Sequence, residues 1–274
     1  MCTPFLFILL QIAITMTTVL TNDVKPMDES SDRLQRWLGR WTESKLGWHK
    51  NDPHPFLLKH TSHLIPNFES DADTCEASES KSRIFVPLCG KSVDMSFFAK
   101  HIGVEEVVGI DGIRKALLDF ADENKELHID VENTSNVSAF EKFSGEKISL
   151  LKGDFFALDD NATGGKFDGV LDRASLVAIQ PDLRERYVEI LGNLIKPGGR
   201  ILLIVIDRRE GNESGRTAGP PFSVDEQEVK RLFGAANWAE SIEKVDEVEE
   251  DVSQYRMPGV ERLFELVFVI KAKM

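Results

Sequence analysis

Between residues 84 and 206 the chain alternates short, mainly apolar runs with stretches of helical period, and few folds accommodate that pattern. Residues 84–86 form an apolar run broken by Pro87, and residues 107–110 form another that ends on Asp111. Residues 148–151 end near Asp154, residues 167–171 end on Asp172, and residues 201–206 follow a Lys196-Pro197-Gly198-Gly199-Arg200 turn. A run whose apolar residues are continuous rather than alternating belongs to a strand buried on both faces, as in a parallel sheet covered by helices. Between these runs, Val93 and Phe97 share a helix face, residues 113–124 form a helix, and residues 183–194 place Tyr187, Leu191 and Leu194 on one side. The alternation predicts an α/β sandwich. Residues 263–270 read as a strand with no helix after it, and residues 242–248 can pair with it. That pair gives a mostly parallel sheet an antiparallel C-terminal edge.

The N-terminal part differs. Trp37 and Trp41 are four apart and fit one helix face, followed by Trp48-His49. As a bare pattern this reads first as a packing stripe. Residues 66–82 are acidic and serine-rich without a period, which predicts a surface loop between an N-terminal helical region and the main body. Residues 1–30 form a hydrophobic extension whose first 22 residues carry no charge. It resembles a secretory signal without the positively charged n-region, or a membrane anchor diluted by Gln11 and five threonines. A start-site artefact is the third reading, with Met16 or Met27 as the true start.

Composition narrows the partners. The 274 residues carry 33 Lys plus Arg against 46 Asp plus Glu, a formal charge of −13. Such a surface repels phosphate backbones and anionic lipid, so nucleic acid is not expected, and a membrane only if the extension is an anchor. Cys2, Cys75 and Cys89 form no CxxC pair and are too few for a disulfide scaffold.

In an open α/β sheet, ligands bind beyond the carboxyl ends of the strands. After the first run stands Pro87-Leu88-Cys89-Gly90-Lys91, with one glycine and no GxGxxG, which argues against a dinucleotide pyrophosphate. Asp111 lies 21 residues beyond Gly90, where an acid can accept ribose hydroxyls, or equally cap a helix. Asp154 can accept from an exocyclic amine with Phe155 on an adenine face, or be a loop acid beside a core ring. Arg173 can pair a ligand carboxylate, or else Asp172 or another local acid. His54, His60 and His63 show no complete ligand set, so no metal is expected. Cys89 has no readable acid–base partner and reads as a packing thiol.

The motifs together carry a family. Trp37, Trp41 and Trp48-His49, the PLCGK loop, Gly109-Ile110-Asp111, Lys166-Phe167-Asp168, Leu171-Asp172-Arg173-Ala174 and Gly219-Pro220-Pro221-Phe222 resemble the thiopurine S-methyltransferases. These are class I S-adenosylmethionine-dependent methyltransferases, and the resemblance covers residues 35–271 in order. It implies a Rossmann-like, seven-stranded sheet with helices on both faces. Residues 31–274 are then a single methyltransferase domain, with an N-terminal helical cover at about 33–65. It also implies S-adenosylmethionine as methyl donor, with Trp37, Trp41, Trp48, Leu88, Gly90, Asp111, Asp154, Phe155 and Arg173 as its contacts. Trp48, Phe222 and Arg173 fall on the acceptor side. Asp111 stands where the family has a glutamate and Trp48 where it has a phenylalanine. Asp251 falls near a substrate-side arginine of the animal enzymes, with Arg256 as a stand-in.

The expected activity is S-methylation of small thiols, with no essential acid–base residue, by a cytoplasmic monomer. The alternatives are the same fold methylating another small nucleophile (selenium or tellurium species, halide, oxygen or nitrogen acceptor), or a non-catalytic nucleoside-binding protein. A dinucleotide oxidoreductase is disfavoured by the missing glycines.

Overall fold

Strands with continuous apolar runs need cover on both faces, and they have it. The computed structural model describes residues 29–44, 46–47, 49–65, 81–132, 139–255 and 257–274. Trp48, Arg256, residues 1–28 of the extension and residues 66–80 of the acidic loop lie outside the described residues. Helices α1 (Glu29–Thr42) and α2 (Pro55–Leu64) precede β1 (Ser82–Val86), α3 (Val93–Lys100), β2 (Val104–Asp111) and α4 (Arg114–Glu123). Then come β3 (Asp130–Val131), β4 (Glu141–Gly145), β5 (Ile148–Lys152), β6 (Phe167–Arg173), α5 (Arg184–Leu194) and β7 (Ile195–Gly211). The chain ends with α6 (Glu213–Thr217), α7 (Glu226–Gly234), β8 (Ala239–Glu250) and β9 (Val260–Ala272).

The strands lie in the order β3-β4-β5-β2-β1-β6-β7-β9-β8. β1 pairs in parallel with β2 and β6, β2 with β5, and β6 with β7. β9 enters antiparallel between β7 and β8, the expected C-terminal edge. Along β7, Ile201, Leu203 and Val205 pack with Tyr187, Leu191 and Phe233 from α5 and α7. Leu202 and Ile204, facing the other way, pack with Leu57, Met95 and Phe98 from α2 and α3. Two cores on one sheet explain why the run never alternates.

The expectation of seven strands is corrected to nine. β5-β2-β1-β6-β7-β9-β8 supplies the seven, and β3 and β4 extend the edge beyond β5 by antiparallel pairing. β4 has one buried residue, Phe143, and both residues of β3 are exposed. Backbone pairing and a single aromatic anchor hold this edge, so no apolar run announces it. The Lys196–Arg200 turn is also absorbed into β7. Phe167 pairs with Ile195 and Gly169 with Arg200, so the segment bulges, with Gly198 at φ +73°. At the opposite edge β8 is long but protected. Its Glu247 binds Arg209 and Lys244, and a charged edge resists pairing with another chain. No helix among the described residues is long and apolar enough to cross a membrane.

The strand order reverses at β1, whose neighbours β2 and β6 lead to opposite halves of the sheet. That reversal opens a crevice at the carboxyl ends. Its floor depends on a small residue in β2. A Cβ on Gly109 would stand 2.7 Å from Met95 Sδ and 2.8 Å from Cys89 Sγ. Alanine is better than glycine in a strand by about 0.5–1 kcal/mol, but overpacking costs about 1–3 kcal/mol. Gly109→Ala is therefore expected to lower the free energy of unfolding, read from urea titration, and to displace the loop carrying Cys89. An unchanged or higher midpoint would show that the loop has slack.

Candidate active site

The residues just beyond β1, β2, β5 and β6 converge on one cleft of about 1070 Å³, its open mouth included. Its wall holds Trp37, Trp41, Leu88, Gly90, Asp111, Asp154, Phe155 and Arg173, eight of the residues expected from sequence. Phe222 is not in that wall. Its amide donates to the Val177 carbonyl, and its ring folds over Gly219, where a Cβ would stand 2.2 Å away. The neighbouring Ala178 and Ile179 line the cleft instead.

The loop after β1 is bent by its backbone. Leu88 has φ +43° and Gly90 φ +53°, and Ala174 after β6 has φ +64°. A left-handed conformation at Leu88 and Ala174 costs about 1–3 kcal/mol each and persists where surroundings enforce it. Part of that enforcement is Asp111. One carboxylate oxygen accepts the Gly90 N–H at 2.9 Å, and the other accepts the Ile113 N–H at 2.7 Å. The group is 8% exposed. Burial raises its pKa to about 6, against the two amide hydrogen bonds that oppose the rise. The two readings of Asp111 thus meet in one residue. It steadies the start of α4, although Ile113 is the capping position, and its carboxylate also lines the cleft.

Gly90 has a second reason to lack a side chain. A Cβ there would lie 3.0 Å from the Trp41 ring. Trp41 is buried against Ile113 and Ala116, with Leu34, Trp37 and Leu46 around them. The tryptophan pair is therefore a packing stripe and a cleft wall at once, fastening α1 over the ends of β1 and β2.

At β5, Asp154 accepts the Phe156 N–H at 3.0 Å. Phe155 is buried and stacks on Tyr187 at 4.7 Å, so it meets the cleft from within the core. Half-buried Phe156 stands at right angles to it and also lines the cleft. At β6 the two neighbours part. Asp172 turns inward, accepting the Tyr187 hydroxyl at 2.7 Å and the Leu176 amide at 3.0 Å, and burial raises its pKa to about 6. Arg173 faces the cleft and pairs with Asp94, not with Asp172. Its Nε–H donates to Asp94 Oδ2 at 2.8 Å, and Nη2 donates to Ser92 Oγ at 3.3 Å.

Several wall residues escaped the sequence reading: His49, Lys91, Ser92, Asp94, Gly112 and Ile113. Ser92 followed by Asp94 has the composition of a helix N-terminus, where serine caps and acids favour the dipole. Burial and nearby Lys91 hold the His49 imidazole below its usual pKa. Of the histidines considered as metal ligands, His54 caps α2 and His60 and His63 lie along it. His54 Nδ1 accepts the Phe56 amide at 3.3 Å, and His60 Nε2 lies 3.0 Å from Asp246. Cys89 is buried, and burial raises its thiol pKa.

The raised pKa of Asp111 fixes a sign. A folded carboxyl titrating near 6 rather than 3.8 binds its proton more tightly than the unfolded chain does. It therefore favours the fold at low pH and loses that advantage as pH rises towards 6. Two pKa units correspond to roughly 3 kcal/mol. Asp111→Asn is expected to gain stability relative to wild type between pH 4 and 7, by about that amount. Paired denaturant titrations measure it, and a difference constant with pH would contradict it.

The family model described as thiopurine S-methyltransferase matches residues 32–273. A thiopurine S-methyltransferase of Vibrio atlanticus is 32% identical over 239 residues, covering 86% of this chain and 97% of that protein. One from Bos taurus is 33% identical over 242 residues, covering 88% and 90%. Among solved structures, a Burkholderia thailandensis 1,6-didemethyltoxoflavin N1-methyltransferase with bound S-adenosylhomocysteine superposes with TM-score 0.57 at 17% identity, covering 89% of each chain. That likeness shows a shared fold. The sequence matches go further: this chain belongs to the thiopurine S-methyltransferase family and is an S-adenosylmethionine-dependent methyltransferase.

Proposed function

We propose that this methyltransferase acts on the sulfur of small thiols, thiopurine-like aromatic thiols among them, with S-adenosylmethionine lying across the ends of β1, β2, β5 and β6. The observation that carries this reading is the convergence of Leu88, Gly90, Asp111, Asp154 and Arg173 on one cleft from the ends of four strands. The cleft suits a nucleoside without phosphates. Its loop has one glycine, whose missing Cβ keeps the backbone close to the Trp41 ring and the Asp111 carboxylate.

When bound, S-adenosylmethionine supplies a methyl group already activated on a sulfonium. The chain's task is then alignment and exclusion of water. Asp111 has two oxygens with about four acceptor positions, and two backbone amides occupy two of them. The remaining positions accept the ribose hydroxyls. Asp154 accepts the exocyclic amine of the base, with Trp37, Trp41 and the Phe155–Phe156 pair as apolar walls. Arg173 holds a carboxylate of the cofactor or steers an anionic acceptor. Trp48 is assigned the acceptor's aromatic wall by its place in the family pattern. A thiol of low pKa arrives partly as thiolate, so no acid–base residue is assigned. The reading takes residues 31–274 as one methyltransferase unit with its cover at 33–65, working as a cytoplasmic monomer. Its support there is the family.

Transfer of labelled methyl from S-adenosylmethionine to an aromatic thiol, with the matching phenol and aniline as controls, tests the reaction. Label is expected on the thiol, with chelator present or absent. Label on oxygen or nitrogen instead, or cofactor binding without transfer to any thiol, would overturn the reading.

Hydroxyls donate to a carboxylate, so ligand binding favours ionised Asp111. The affinity for S-adenosylhomocysteine is expected to rise between pH 5 and 7, as the group near pKa 6 loses its proton. Asp111→Asn should weaken binding at pH 7 by about 1–3 kcal/mol and abolish that pH step. Calorimetry across this range checks both, and a step that survives in the variant would assign it to another group.

A further inference from the structure

Arg173 is held by a carboxylate that the cofactor reading does not use. Asp94, in the first turn of α3, is 1% exposed and accepts from three parts of the chain. Its Oδ2 takes Arg173 Nε–H at 2.8 Å and Ser92 Oγ–H at 2.9 Å, and its Oδ1 takes the His54 backbone N–H at 2.9 Å. His54 is the N-cap of α2, and its Nε2 lies 3.3 Å from Glu265 on β9. Ser92 is the N-cap of α3 and also accepts from Arg173 Nη2. One buried carboxylate therefore joins the start of α2, the start of α3 and the end of β6.

Burial alone does not explain an ion pair here. A buried pair is often no more stable than apolar residues of the same volume, and its use must be sought in orientation. The guanidinium is planar, and engaging Nε fixes the tilt of that plane. The same carboxylate carries the first turn of α2, which packs over β6 and β7.

We infer that Asp94 is a positioning residue that sets the plane of Arg173 and links it to the start of α2, so that ligand capture at Arg173 also orders that helix end. This inference rests on the ligand-binding role of Arg173 and adds the residue that aims it. Asp94→Asn is the informative substitution, because Oδ1 still accepts the His54 amide while the charge opposite Arg173 is lost.

The test is a double-mutant cycle on S-adenosylhomocysteine affinity in the full chain, using wild type, Asp94→Asn, Arg173→Met and the double variant. Asp94→Asn is expected to weaken binding about tenfold in wild type and to change nothing in the Arg173→Met background. In wild type the ligand should also slow amide exchange at His54 and at residues 56–58, and in Asp94→Asn it should not. Equal weakening in both backgrounds would make Asp94 a structural residue and overturn the inference, as would wild-type affinity in Asp94→Asn. Should Asp94→Asn not fold, Ser92→Ala serves: a loss of about threefold that vanishes beside Arg173→Met supports the inference, and a loss that persists overturns it. Wild-type binding with undiminished affinity in Arg173→Met overturns the Arg173 role and the inference together. No binding to any form, wild type included, sinks the cofactor site itself.

Discussion

The Asp111 carboxylate holds two backbone amides that belong to different parts of the fold, Gly90 in the loop after β1 and Ile113 at the head of α4. Much of the cleft follows from that pair of hydrogen bonds. They set the approach of the PLCGK loop to the end of β2, and that approach would put a Cβ at residue 90 only 3.0 Å from the Trp41 ring. Trp41 in turn rests on Ile113 and Ala116, so α1 is registered on the same two strand ends. The arrangement keeps an acid buried, with its pKa raised to about 6. A buried carboxylate is tolerable where it is hydrogen-bonded, and here it remains ionisable near neutrality.

The sheet beneath supplies rigidity where the loops are strained. Leu88 and Ala174 take left-handed conformations in the turns that follow β1 and β6, which are neighbours in the sheet at the order reversal. Asp172 lies behind the second of these turns. Its bonds to Tyr187 and Leu176 anchor β6 to α5 and to the turn that follows the strand. Asp111 and Asp172 are thus two buried acids at two strand ends. One is open to the cleft, and the other is wholly internal.

The sequence exposed the central strands because burial on both faces removes any polar alternation, as in residues 201–206. It exposed the strand-end residues because a parallel sheet puts ligands at one known edge. It did not expose β3 and β4, where Phe143 is the one buried anchor of a polar segment. Nor did it expose the bulge in β7, whose Pro197 and two glycines carry the composition of a turn. Arg173 was legible as a cleft residue, yet its partner was not. Asp94 lies 79 residues away in sequence, beside Met95 in what reads as an ordinary helix start. Pairing across the crevice is a property of the topology, and local spacing contains no trace of it. Phe222 shows the converse, since its motif reads as an acceptor wall while its ring closes over Gly219.

The claim that Asp111 organises the cleft is tested most directly by amide hydrogen exchange at Gly90 and Ile113, resolved by NMR, without and with S-adenosylhomocysteine. Both amides should exchange slowly in the ligand-free protein, because each already donates to the carboxylate, and more slowly still when ligand closes the cleft. Fast exchange at either amide in the free protein would contradict the claim. So would ligand binding that leaves both rates unchanged.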